Sequence, residues 1–95
     1  MATPGAATEN AGGKLAEAAI VDGIFRALSD PTRRQVLERL SARPASVSEL
    51  AAPYDMALPS FLQHLKVLEK SGLVRSRKAG RVRTYSIEPQ QLKLA

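Results

Sequence analysis

Apolar residues recur with a helical period along most of this chain and switch to a period of two near its end. From Lys14 onward, Ile20, Val21, Ile24, Phe25 and Leu28 fall within one broad face at about 100° per residue, which predicts an amphipathic helix. Ser29-Asp30-Pro31 stops it. Asp30 is placed to cap a second helix whose first position is Pro31, where a missing N–H costs nothing. That helix is predicted to run to about Leu40 or Ser41, with Val36, Leu37 and Leu40 inward and Pro44 marking the loop after it. Ser46-Val47-Ser48-Glu49 has the spacing of a capping box and predicts a short third helix, buried through Val47, Leu50 and Ala51 and ended by Pro53. A turn through Tyr54-Asp55-Met56-Ala57 leads to a fourth helix over roughly Leu58 to Lys70. Pro59 is tolerated in its first turn, and Ser71-Gly72 is its stop.

Past Gly72 the pattern changes. Leu73 to Lys78 and Arg81 to Ile87 read as two strands around Ala79-Gly80, a hairpin signal. Glu88-Pro89 breaks the second strand, and Gln90 to Ala95 starts a further helix of less than two turns, the pattern of a fragment or of a short C-terminal helix. Residues 1–13, rich in Ala, Gly and Thr and without apolar periodicity, are predicted to be a disordered tail. The fold class is therefore mainly α with a small β-hairpin: one tail and one domain over residues 14–95, a winged helix-turn-helix.

The spacing of a short helix, a four-residue turn and an amphipathic helix is that of a helix-turn-helix, whose second helix enters the major groove of DNA with its N-terminal residues leading. Helical geometry sorts the fourth helix into a core side (Phe61, Leu65, Leu68) and an outward side (Pro59, Gln63, Lys66, Lys70, with Ser60 alongside). Gln63 has the amide that pairs with an adenine edge, Ser60 can read a base or a phosphate, and Lys66 and Lys70 neutralise phosphates. His64 lies at the edge of the apolar side, where packing against neighbours competes with base reading. Leu62, about a quarter-turn from the core centre, either extends the core or offers an apolar contact to a thymine methyl.

Charge sharpens the picture. The chain of 95 residues carries a net charge of +5, yet residues 1–72 balance at zero. Residues 73–95 hold six basic groups against one acid, Glu88, so the whole excess sits on the hairpin and the short segment after it. Arg75, Arg77, Lys78, Arg81 and Arg83 crowd together with no acid among them. Folding brings these like charges close, at a cost in stability that a bound anion offsets. Nucleic acid is the commonest such partner: Arg75, Arg77 and Lys78 are expected on phosphates and Arg81 at the tip along a backbone or in a minor groove.

Composition excludes several classes. Without cysteine there is no disulfide framework, thiolate metal site or cysteine nucleophile, and no metal or other cofactor is expected. No apolar run is long enough for a membrane span, and the N-terminus lacks a signal-peptide pattern, which predicts a cytoplasmic protein. No paired-carboxylate site, Ser-His-Asp set or Gly-rich phosphate loop is present, so an enzyme is not expected.

Asp30-Pro31-Thr32-Arg33-Arg34, Ser48-Glu49-Leu50-Ala51, the run from Gln63 to Val74, Gly80-Arg81 and Tyr85 together resemble the ArsR/SmtB family of bacterial winged helix-turn-helix repressors, over about Ile20 to Ile87. The resemblance implies a homodimer on double-stranded DNA, with the first and last helices at the interface and Leu15, Ile20 and Leu92 as its contacts here. Two departures matter. Ser46 to Ala52 lacks the cysteine cluster of family metal sensors and no His, Asp or Glu comes after Glu88, so metal sensing by either family arrangement is not expected. Leu62 stands where the family commonly places a small polar residue facing DNA. The reading is a sequence-specific, dimeric repressor binding an inverted repeat; the alternative is a protein-interaction module whose basic hairpin meets an acidic partner.

Overall fold

Asp30 ends one helix and begins the next. In the computed structural model, which describes residues 17–89, its side chain accepts a hydrogen bond from the Arg33 N–H at 3.0 Å, and Pro31 stands next at the start of the helix. Helix α1 covers residues 17–28, α2 covers Pro31–Ala42, α3 Val47–Ala51 and α4 Leu58–Lys70. Residues 1–13, Leu15, Leu92 and the C-terminal helical start lie outside the described residues.

The arginines of α2 donate to carbonyls at the ends of the neighbouring helices, where the helical ladder runs out. Arg33 donates through Nε to Ala27 O at 2.8 Å and through Nη2 to Arg26 O at 2.9 Å, while Arg34 Nη1 reaches Leu28 O at 2.6 Å. On the other side Arg39 forks onto Leu50 O and Glu49 O at 2.8 and 2.7 Å, closing the end of α3. The capping box at Ser46 and Glu49 is present in both directions. These side chains set how α1 and α3 meet α2. Val36, Leu40, Leu50, Phe61, Leu65 and Leu68 then fill the core, each fully buried aliphatic or aromatic side chain contributing roughly 1.5–3 kcal/mol. Tyr54 stacks on Phe61 with ring centroids 5.4 Å apart and donates to Gln35 Oε1 at 2.9 Å, which fastens the turn before α4 to α2.

Two features differ from the sequence reading. Residues Ala45–Ser46 form a short strand, β1, that pairs antiparallel with β3 (Ala45 opposite Tyr85), giving a three-stranded sheet in the order β1-β3-β2. On α1, Val21 and Phe25 are not core: Phe25 is 68% exposed, and the helix packs through Ala27, with Ile24 and Leu28 at the margin. The broad apolar face is in fact two stripes, of which only one meets α2 and α4.

The hairpin pairs β2 (Val74–Ala79) with β3 (Val82–Ile87), and Ala79 lies opposite Val82. Gly80 takes a φ of 61° at the first loop position and Arg81 does not have a positive φ, the pattern of a type II′ turn.

Candidate nucleic-acid interface

Helix α4 presents one side to the core and the other to solvent. Phe61, Leu65 and Leu68 are buried, whereas Pro59, Ser60, Leu62, Gln63, Lys66 and Lys70 are exposed. The helix starts without a side-chain cap; Pro59 has no N–H, and the Ser60 and Phe61 N–H groups donate to Ala57 O at 3.0 and 3.1 Å, so the first turn is closed on its own backbone. Leu62 is 40% exposed, which puts it on the surface beside Leu58 one turn earlier and not in the core.

His64 is the member of the predicted set that turns inward. Its Nδ1 lies 3.0 Å from Arg33 Nη1 and 3.7 Å from Asp30 Oδ2. A guanidinium only donates, so Nδ1 is the acceptor in the contact with Arg33. Burial works to raise the Asp30 carboxyl, but the hydrogen bond from Arg33 N–H and the positive charge nearby outweigh it and hold the group below its ordinary value.

The wing cations, read as one cluster, divide between the two faces of the hairpin. Opposed residues share a face: Arg75 with Ser86 and Arg77 with Thr84 on the outer side, Lys78 with Arg83 on the side of the core, Arg81 at the tip. The inner side is joined to α4, because Arg83 Nη1 donates to Ser76 Oγ at 2.8 Å and Ser76 Oγ donates to Glu69 Oε2 at 2.9 Å. Tyr85 is buried beside this chain; burial, reinforced by the Glu69 carboxylate, pushes its phenol above its ordinary value and keeps it protonated. Arg75 lies 3.9 Å from Glu88, and the described residues give Arg77, Lys78 and Arg81 no ion-pair partner. Leu58 is exposed on the first turn of α4, and Arg26 of α1 shares a cleft with Gln63 and Lys66. The sequence pattern marks neither, Leu58 because an exposed apolar residue has the same periodicity as a buried one.

A short helix, a tight turn, an outward-facing polar helix tied to a basic hairpin: these define a winged helix-turn-helix DNA-binding domain. Residues 28–77 match the family described as a helix-turn-helix domain. The HTH-type transcriptional regulator Rv2034 of Mycobacterium tuberculosis is 44% identical over 71 residues, 75% of this chain and 66% of that protein, so the chain spans just under two thirds of its length. The crystal structure of the ArsR family transcriptional regulator RHA00566 shares 58% identity and a TM-score of 0.76 over 80% of this chain and 78% of that one. The homodimeric winged helix-turn-helix domain of Mb0332 from Mycobacterium bovis shares 28% identity and a TM-score of 0.75 over 85% of this chain and 76% of that one. The chain belongs to the ArsR family of transcriptional regulators. Among the described residues no helix is long and apolar enough to cross a membrane, and no group of three or more His, Cys, Asp or Glu is arranged to hold a metal ion.

Proposed function

We propose that the chain is a homodimeric repressor that occupies an inverted-repeat operator in duplex DNA. The observation that carries this is the outward face of α4, where Pro59, Ser60, Leu62, Gln63 and Lys66 are all exposed on a helix whose opposite side is core. Gln63 reads an adenine edge, Leu62 a thymine methyl, and Ser60 and Lys66 position the backbone; His64 acts through Arg33, setting the height of the helix. Arg81, Lys78 and Arg83 bring the wing to an adjacent backbone or minor groove, and Arg75 and Arg77 add charge from the outer face. Ile20, Val21 and Phe25 form the described part of the dimer contact, with Leu15 and Leu92 assigned to the same interface. A two-fold dimer places equivalent helices about one DNA turn apart, hence the inverted repeat. Repression then follows from occupancy, in the cytoplasm, without metal or other cofactor.

Selection of bound sites from random duplex DNA by the purified protein tests this. Enrichment of an imperfect palindrome is the expected result, and no enrichment would overturn sequence-specific repression. With about eight phosphate contacts per dimer, log affinity falls against log salt with a slope near −7.

A second reading has one observation in its favour. Arg75 and Arg77 line a groove of about 360 Å³ with Pro44, Thr84 and Ser86 on the sheet face turned away from α4, a surface suited to an acidic protein. Charge reversal at Arg77 that leaves DNA binding intact, together with an unchanged sequence preference in Gln63→Ala, would favour it.

A further inference from the structure

Beside the DNA-reading face lies a cleft of about 380 Å³ between α1 and α4, lined by Gly23 and Arg26 from one helix and by Gln63, Lys66, Lys70 and Ser71 from the other side. Three cations from two helices converge on it, and among the described residues no acid lines it. None of the three makes an ion pair among the described residues, and Asp22, one turn before Arg26, makes none with it. A cation in the last turn of a helix offsets the helix dipole, which accounts for Lys70 and for Arg26 singly. It does not account for Lys66, nor for all three sharing one concave surface, where like charges repel unless an anion lies between them. Gly23 forms part of the floor, where an added Cβ would make only ordinary contact with the Ser71 Cα, at 3.9 Å.

We propose that this cleft is a phosphate-binding site in which Arg26 acts with Lys66 and Lys70. The guanidinium fork matches two phosphate oxygens, the two ammonium groups add point charge, and the Gln63 amide donates from the rim. Gln63 and Lys66 line this cleft and also stand on the exposed side of α4, so a duplex gripped by that side brings a backbone within reach of Arg26. The phosphate is either that of the DNA backbone, in which case the inference rests on the DNA-binding reading above, or that of a small phosphorylated ligand. Such a ligand would occupy Gln63 and Lys66 and so displace DNA.

The test compares the full chain with its Arg26→Gln variant, with Arg26→Lys as a variant that keeps the charge and loses the fork, and melting temperature as the check on folding. In the DNA arm, affinity for the selected operator and for random-sequence duplex is measured across salt. A backbone phosphate predicts that Arg26→Gln weakens both by a similar factor and reduces the salt slope by about 0.9 per protomer, with Arg26→Lys keeping most of the slope. In the second arm, pyrophosphate is titrated at constant ionic strength without DNA; a free ligand predicts saturable binding that Arg26→Gln abolishes. If Arg26→Gln folds and changes neither measurement, the proposal is overturned. If the unaltered chain binds no DNA, the DNA-binding reading fails and the pyrophosphate arm alone decides the cleft.

Discussion

Arg33 places its Nη1 3.0 Å from Nδ1 of His64, joining α2 to the middle of α4, while the same guanidinium holds the carbonyls of Arg26 and Ala27 at the end of α1. One side chain therefore fixes three helices relative to one another. Lysine keeps the charge and loses the planar fork, so Arg33→Lys is expected to cost about 1–3 kcal/mol, the sum of two or three partly buried hydrogen bonds. Urea denaturation checks it. An unchanged midpoint would mean that water replaces those contacts without loss.

The N-cap of α2 predicts a pH dependence of defined sign. The Asp30 carboxyl sits below its ordinary value of 3.8 in the folded protein, so its charge stabilises the fold above that value, and the contribution is lost as pH falls through the lower, folded pKa. Asparagine caps a helix without titrating. The stability difference between the native protein and Asp30→Asn is expected to shrink as pH drops below about 4, whereas Asp30→Ala loses the cap at every pH, about 0.5–2 kcal/mol. A difference that stayed constant into acid would show that the charge contributes nothing.

Two glycines predict opposite outcomes for one substitution. At Gly23, in α1, a Cβ meets ordinary van der Waals contact, and Gly→Ala there should stabilise by roughly 0.5–1 kcal/mol by restricting the unfolded chain. At Gly80 a Cβ meets nothing, yet the φ of 61° is one that side chains rarely adopt, so Gly80→Ala should destabilise by about 1–2 kcal/mol. Thermal melts of both variants decide it; equal shifts would contradict the backbone account.

Local signals made most of the fold legible. Asp30-Pro31, the Ser46–Glu49 box and Ser71-Gly72 each act on the nearest turn of chain, and all stand where the pattern put them. What stayed hidden depends on tertiary partners. β1 has two residues, too few for any period, and exists because β3 lies beside it. Val21 and Phe25 have helical spacing but no described neighbour to bury them. The division of the wing cations between two faces comes from the register of β2 on β3, and cations on both sides of β2 erased the polar–apolar alternation that would have revealed it. Arg26 carries no signal at all until α1 is laid against α4.

Lys78 lies directly across from Arg83, two like charges on one face of the hairpin. Such a pair is destabilising by a few tenths of a kcal/mol up to about 1. Lys78→Gln is accordingly expected to raise thermal stability slightly and to weaken DNA binding, with a salt slope smaller by about 0.9 per protomer. The two measurements must move in opposite senses. A variant that gained stability and kept its affinity would remove Lys78 from the interface and leave the wing to Arg81 and its outer-face arginines.

Phe25 tests the dimer. It is 68% exposed beside Val21 at 46% and Ile20 at 38%, an apolar stripe on α1 that no described residue covers. In an isologous interface one substitution acts twice, once in each copy. Replacing Phe25 by Ser removes about 1.5–3 kcal/mol of apolar burial per protomer, so the dimer should weaken by roughly two to four powers of ten in dissociation constant. Because the side chain is outside the monomer core, the fold of the dissociated chain should survive, which circular dichroism at high dilution would show. Sedimentation over a range of concentrations measures the association directly. Binding to a palindromic site should then require more protein, while affinity for a single half-site stays near its original value. A dissociation constant unchanged by Phe25→Ser would move the dimer contact off this stripe altogether.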